Sequence, residues 1–226
     1  MKTTNKIKYL IMKIFDFFNG KIRGRRGNMI YYTWNGETHV KRYAIPGKKR
    51  KWEVEGHTPK QREIITRFKA VQLFYKEYMK QVSPTVWRTA AKAQGKIAPN
   101  LFNSTNFRCF DGTGEITDFE GFVFTVGKLA LPRDLQIKRE GNRFLVTWEE
   151  EREWKTAAAT DKMQVGVLYD NLTRSPRLAP EVNGCRGDLQ GEFTLDESIG
   201  CTAHVYIFFA GENQLDFSGS WYTHVE

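Results

Sequence analysis

The sequence predicts an α+β protein whose helix signals stop near residue 95 and whose strand signals dominate from residue 131 onward. Three observations carry this. An Asn-Gly pair at 35–36 sits between β-prone runs, and a Thr-Pro-Lys-Gln helix opening stands at 58–61. After Leu131, short alternating apolar runs follow one another with turn residues between them. The expected architecture is an N-terminal β-hairpin plus a helical pair, then a C-terminal β-sandwich of immunoglobulin or fibronectin type. Four regions follow: an extension over 1–19, a basic hairpin and helical-pair region over 20–100, a connecting region over 101–130, and the sandwich over 131–226.

The extension places Ile7, Leu10, Ile11, Ile14, Phe15 and Phe18 at helical spacing, which predicts a short docking helix, with attachment to a membrane surface as the alternative. Lys13 and Asp16 interrupt the apolar run and no small-residue cleavage site follows it, so no cleavable signal is expected. Met12 is a second candidate start. Residues 20–27, GKIRGRRG, read as a flexible or turn-forming arm.

Asn35-Gly36 is a strong short hairpin signal, because a type I′ turn needs positive φ at both central residues. A two-residue loop pairs Trp34 with Glu37, Tyr32 with His39 and Ile30 with Lys41 on one face. The other face then holds Tyr31 with Val40 and Met29 with Arg42. A short strand is expected over 51–55. Thr58 can cap a helix, Pro59 suits its first position and Gln61 completes a capping box. That helix runs to about Val82, with Ile64, Phe68, Val71, Tyr75, Tyr78 and Val82 as its apolar stripe. Ser83-Pro84 opens a second helix, in which Val86, Trp87, Ala90 and Ala91 lead to a Gly95 cap.

Residues 96–130 have weak periodicity, with a strand or two expected in 119–126. Further on, 135–139 and 143–148 flank a Glu-Gly-Asn turn. In the next strand Met163, Val165, Val167 and Tyr169 share a face. Strands at 192–195, 203–210 and 217–225 complete the sandwich.

Charge is divided by position. Residues 1–100 hold 23 Lys+Arg against 6 Asp+Glu, a net +17, and the remainder carries −8, which together give the chain's +9. Lys21, Arg23, Arg25, Arg26, Lys41, Arg42, Lys48, Lys49, Arg50 and Lys51 crowd one window that contains Glu37 as its one acid. This points to an anionic partner, and these ten residues are the candidate binding site. Tyr31, Tyr32, Trp34 and Trp52 are candidate stacking or docking groups.

Catalytic signatures are missing from the text of the sequence: it has no Gly-x-Ser-x-Gly, and Gly112-Thr-Gly114 lacks the Lys-Ser/Thr of a phosphate loop. His39, His57, His204 and His224 with Cys109, Cys185 and Cys201 show neither Cys-x-x-Cys nor a His pair at helical spacing, so no metal and no cofactor is predicted. Pairing of Cys185 with Cys201 is left open. Glu149 to Glu153 read as a solvated edge, and Arg186-Gly187-Asp188 as a loop rather than an adhesion signal. The expected function is that of a non-enzymatic structural or adaptor protein. Its partner is a protein or a second copy of the chain, or alternatively DNA or RNA bound without sequence preference through residues 21–62. No small-molecule ligand and no membrane span are predicted, and the expected location is cytoplasmic or particle-associated.

The order of features resembles one bacterial family, catalogued as domain of unknown function 6266. The likeness rests on GKIRGRRGNMIYYTWNGETHVKRY, TPKQREIITRFKAV, TDKMQVGVLYDN and HVYIFF, and covers roughly residues 20–226. The family opens with a glycine-rich basic stretch and a Trp-containing hairpin, and continues with an Arg-Thr-Pro-x-Gln-x-x-x-Arg-x-x-Phe helix start. Thr58-Pro59 and Gln61 match that start, Arg67 and Phe68 stand against its Arg/Phe part, and His57 replaces the Arg before Thr-Pro. The resemblance implies a two-part protein without assigned activity, with related openings among phage-like and mobile-element genes.

Overall fold

The computed structural model describes residues 23–34, 36–44, 56–149 and 156–226, which fall into two compact units, 1–56 and 57–226. The expected N-terminal helix, the strand over 51–55, and Asn35, Lys21, Lys48 to Lys51 and Trp52 lie outside the described residues.

The described residues of the first unit form a three-stranded antiparallel sheet, β1 (Gly24–Arg26), β2 (Met29–Trp34) and β3 (Glu37–Arg42), in that order. The β2–β3 register is Met29↔Arg42 through Trp34↔Glu37, as the two-residue loop requires. The arm is a correction to the sequence reading, because Gly24–Arg26 is a strand. Gly24, Arg25 and Arg26 pair with Tyr31, Ile30 and Met29, and a Gly27-Asn28 loop joins the strands, with Gly27 at φ +60. Glycine in the first loop position, where positive φ is needed, suits a tight two-residue loop of the II′ kind.

The second unit opens with α1 (Pro59–Gln81), whose Thr58 capping box is formed: Gln61 N donates to Thr58 Oγ1, and Thr58 N donates to the Gln61 side chain. α2 (Val86–Ala93) follows, closed at Gly95. A third helix, α3 (Ala98–Asn106), stands where weak periodicity left none expected. Its Ser104 and Thr105 hydroxyls both bond back to Leu101 O, so its own propensity is low. Burial of Leu101 and Phe102 holds it. The apolar stripe of α1 also shifts: Val71, Phe74, Tyr75 and Tyr78 are buried, whereas Ile64 and Phe68 are exposed.

Two four-stranded antiparallel sheets complete the unit. One is ordered β4 (Gln136–Glu140), β5 (Arg143–Thr147), β9 (Gln190–Thr194), β8 (Val182–Asn183). The other is ordered β11 (Trp221–Val225), β10 (Ala203–Ala210), β6 (Lys162–Tyr169), β7 (Arg177–Leu178). Their inner faces share one core. Phe144, Val146 and Phe193 come from the first sheet, and Met163, Val165, Val167, Tyr169, Val205, Ile207 and Phe209 from the second.

The opposite face of the second sheet supports the helices. Leu168, Tyr206, Phe208 and Ala210 join Phe74, Tyr78, Trp87, Phe102, Phe122 and Phe124 in a second core. A sheet buried on both faces reads as a nearly continuous apolar run, which is why 203–210 hardly alternates. At its centre Phe102 lies against Trp87 and Tyr75, with ring centroids 4.9 and 5.1 Å apart. The boundary near residue 100 and the connecting region expected over 101–130 thus fall inside one compact unit.

Residues 119–126 are a second correction, since no regular strand forms there. Their backbone is satisfied by side chains instead. Val123 N donates to Asn106 Oδ1 at 2.9 Å and Asn106 Nδ2 donates to Val123 O at 3.0 Å. Phe124 N donates to Ser220 Oγ.

Candidate functional site

The basic sheet displays its cations by strand alternation. Arg25 stands opposite Ile30 and Lys41 opposite Ile30 from the other side, so both share the face of Tyr32, Trp34 and His39. Arg26 and Arg42 flank Met29 on the other face. All five described cations of the predicted site, Arg23, Arg25, Arg26, Lys41 and Arg42, are exposed. Among the described residues, none of the five is paired with a carboxylate. Arg23 Nε donates to Thr33 Oγ1 and Arg25 Nε to Gly27 O. Arg25 also lies over the Tyr43 ring at 3.5 Å, and Lys41 Nζ stands 5.4 Å from the Tyr32 centroid.

The aromatic groups form a short row. His39 stacks on Tyr32 at 5.6 Å and tilts against Trp34 at 5.9 Å. Tyr32 and Trp34 remain 41% and 48% exposed, whereas Tyr31, on the other face, is half-buried. The face therefore offers flat rings and positive charge together, which suits an anionic partner with apolar or aromatic parts.

A second cluster lies in the 57–226 unit, where sequence spacing pointed to none. His204 on β10 and His224 on β11 are direct cross-strand partners, and Asp170 follows the end of β6, whose Tyr169 pairs with Ala203. His224 Nε2 is 3.1 Å from Asp170 Oδ2, and His204 Nε2 is 3.6 Å from Asp170 Oδ1. His204 Nδ1 meets the Tyr222 hydroxyl at 3.0 Å, and the Phe119 ring lies flat on the imidazole at 3.5 Å.

Burial pushes the His204 pKa down, partly offset by the Asp170 charge. Burial alone would raise that of Asp170, but hydrogen bonds from Thr202 and His224 and the charges of His224 and His204 bring it below the usual carboxylate value. His204 and His224 are 20 residues apart in sequence. Their pairing depends on an extra residue between the Ala210↔Phe217 bridge and the Ile207↔Trp221 pair, a bulge that no turn motif announces.

The remaining candidates have structural explanations. Arg186 is buried in an ion pair with Asp161, so the Arg-Gly-Asp tripeptide is not displayed for adhesion. Cys109, Cys185 and Cys201 are all free thiols, so Cys185 and Cys201 do not pair. Among the described residues no helix is long and apolar enough to cross a membrane. No protein-family model matches the chain, and no curated protein matches it either.

Proposed function

We propose that this is a non-enzymatic structural or adaptor protein that docks through its basic N-terminal region on an acidic protein surface, in the simplest case that of a second copy. The observation carrying this is the set of five exposed cations on β1–β3 and its flanks without a carboxylate partner among the described residues. The +17 and −8 halves of the chain supply both sides of a head-to-tail contact, which closes into a ring or extends into a filament. The family resemblance agrees with a component of a phage-like or mobile-element assembly, located in the cytoplasm or on the particle.

In this reading the paired sheets are an immunoglobulin-like sandwich serving as a rigid acidic module. The orders β4-β5-β9-β8 and β11-β10-β6-β7 support it, since they correspond to A-B-E-D and to G-F-C with one added strand. The inter-sheet disulfide of antibody domains has no counterpart here.

Sedimentation velocity at about 50 and 200 mM salt tests the docking. Association at low salt, reversed at high salt and lost when Arg23, Arg25, Arg26, Lys41 and Arg42 are changed to alanine, is the expected result. A single-chain mass at every concentration and salt would remove the self-docking form.

A second reading, sequence-nonspecific binding of DNA or RNA, is favoured by one observation: the Trp34–His39–Tyr32 row shares its face with Lys41 and Arg25. Fluorescence anisotropy with a labelled single-stranded oligonucleotide separates the two. Neutralising about six phosphates of a single strand would cost about 300-fold in affinity between 50 and 200 mM salt.

A further inference from the structure

We infer that Asp170, His204 and His224 form a binding site for a divalent transition metal of the zinc class. The three donor atoms lie within 4.8 Å of one another. Ligands about 2.0–2.1 Å from a tetrahedral centre stand roughly 3.4 Å apart. Measured to the one oxygen Oδ1 of Asp170, the His224 and His204 Nε2 gaps are 3.3 and 3.6 Å and bracket that spacing, so an ion is accommodated with small side-chain shifts.

The surroundings hold the donors in a ligating posture. Both histidines turn Nε2 toward the carboxylate, while their Nδ1 atoms face outward, that of His204 to the Tyr222 hydroxyl and that of His224 to Glu226 Oε1 at 3.7 Å. When the Tyr222 hydroxyl accepts from Nδ1–H of His204, Nε2 of that ring is left free to bind metal, and the Glu226 charge favours a proton on Nδ1 of His224 in the same sense. Phe119 clamps the His204 ring, the Thr202 side chain hydrogen-bonds Asp170, and the β10–β11 ladder sets the two imidazoles side by side.

Two imidazoles and one carboxylate select zinc, cobalt or nickel over magnesium and calcium, which prefer oxygen donors alone. Three protein ligands leave a coordination position for water or another ligand. Asp170 and His224 side chains are 39% and 32% exposed, which gives an ion a route in. A hydrogen-bonded Asp-His-His network without metal is the competing account of the same geometry.

Full-length protein stripped with chelator is titrated with Co²⁺ by visible absorption, then with Zn²⁺ in competition. One Co²⁺ per chain, with a ligand-field band displaced by Zn²⁺ and a rise in thermal midpoint on Zn²⁺ addition, is expected. H224Q and D170N each weaken binding by about 100-fold or more, and their metal-free midpoints and circular dichroism establish that they are folded. C185S and C201S bind as the parent does. The absence of saturable uptake would leave only the proton network and overturn the assignment. Unchanged affinity in folded H224Q and D170N, or loss confined to the cysteine variants, would overturn it equally.

Discussion

Arg186 and Asp161 form an ion pair inside the second unit, Nε to Oδ2 at 3.2 Å, with side chains 1% and 5% exposed. The guanidinium also donates from Nη2 to Ala130 O and lies over the Phe209 ring at 4.6 Å, while Trp148 Nε1 donates to Arg186 O. The pair therefore joins the chain entering β4, the end of β5 and the turn before β9 around one charged group. Changing Asp161 to alanine removes this carboxylate from a buried guanidinium, which costs about 3–5 kcal/mol. Urea unfolding of D161A measures this, and a loss below about 1 kcal/mol would contradict the role assigned to the pair.

Asn106 acts as a surrogate strand for residues 119–126. Its amide both accepts from and donates to the Val123 backbone, and it is fully buried. N106A strands a donor and an acceptor where water does not reach, at about 1–3 kcal/mol for each unsatisfied group. Hydrogen exchange gives the sharper readout: the Val123 amide should lose protection well before the amides of β10 do.

Gly166 on β6 allows the Phe124 ring to rest on the sheet. A Cβ at that position would stand 2.2 Å from Phe124 Cε1, and Phe124 is itself stacked on Tyr206 at 5.1 Å. G166A is expected to cost about 1–3 kcal/mol through overpacking, with part recovered by adding F124L. Additive effects of the two changes would mean that the ring and the glycine are not coupled.

The legible parts of this fold are those whose signal is local. The Thr58 capping box, the 143–147 strand and the register across Asn35-Gly36 each depend on residues a few positions apart. What escaped depends on distant partners. α3 is built from weak helix formers and is held by Phe102 in a core made by β6 and β10. The His204–His224 pair depends on a bulge in a ten-residue connection. The basic window was visible as composition, but the strand Gly24–Arg26 was not, because glycine and arginine carry little strand preference and pairing with β2 supplies the order.

Burial pushes the Cys109 thiol up to about 11, with the Asp118 charge adding to the effect. The thiolate is therefore scarce at neutral pH in the folded chain, and the side chain is only 4% exposed. With a thiol reagent at pH 8, Cys201, which is exposed, should react first and Cys109 only on unfolding. The sign for stability follows from the raised value: the contribution is complete below the ordinary thiol range and is lost as pH rises toward about 11, because the unfolded chain gives up this proton first. Rapid labelling of Cys109 in the native protein would contradict both statements.

The exposed cations of the first sheet should govern binding while leaving the second unit's stability alone. None of Arg23, Arg25, Arg26, Lys41 and Arg42 is paired with a carboxylate among the described residues, so no ion pair among those residues is broken when they are removed. Surface changes of this kind stay within about 0.5 kcal/mol each. The thermal midpoint of the five-alanine chain should therefore remain close to the parent's. If the partner is a single-stranded nucleic acid, each phosphate contact contributes about 0.7 to the slope of log affinity against log salt. Losing five such contacts flattens the slope by up to about 3.5, and a slope that stays the same would place the anionic partner elsewhere on the chain.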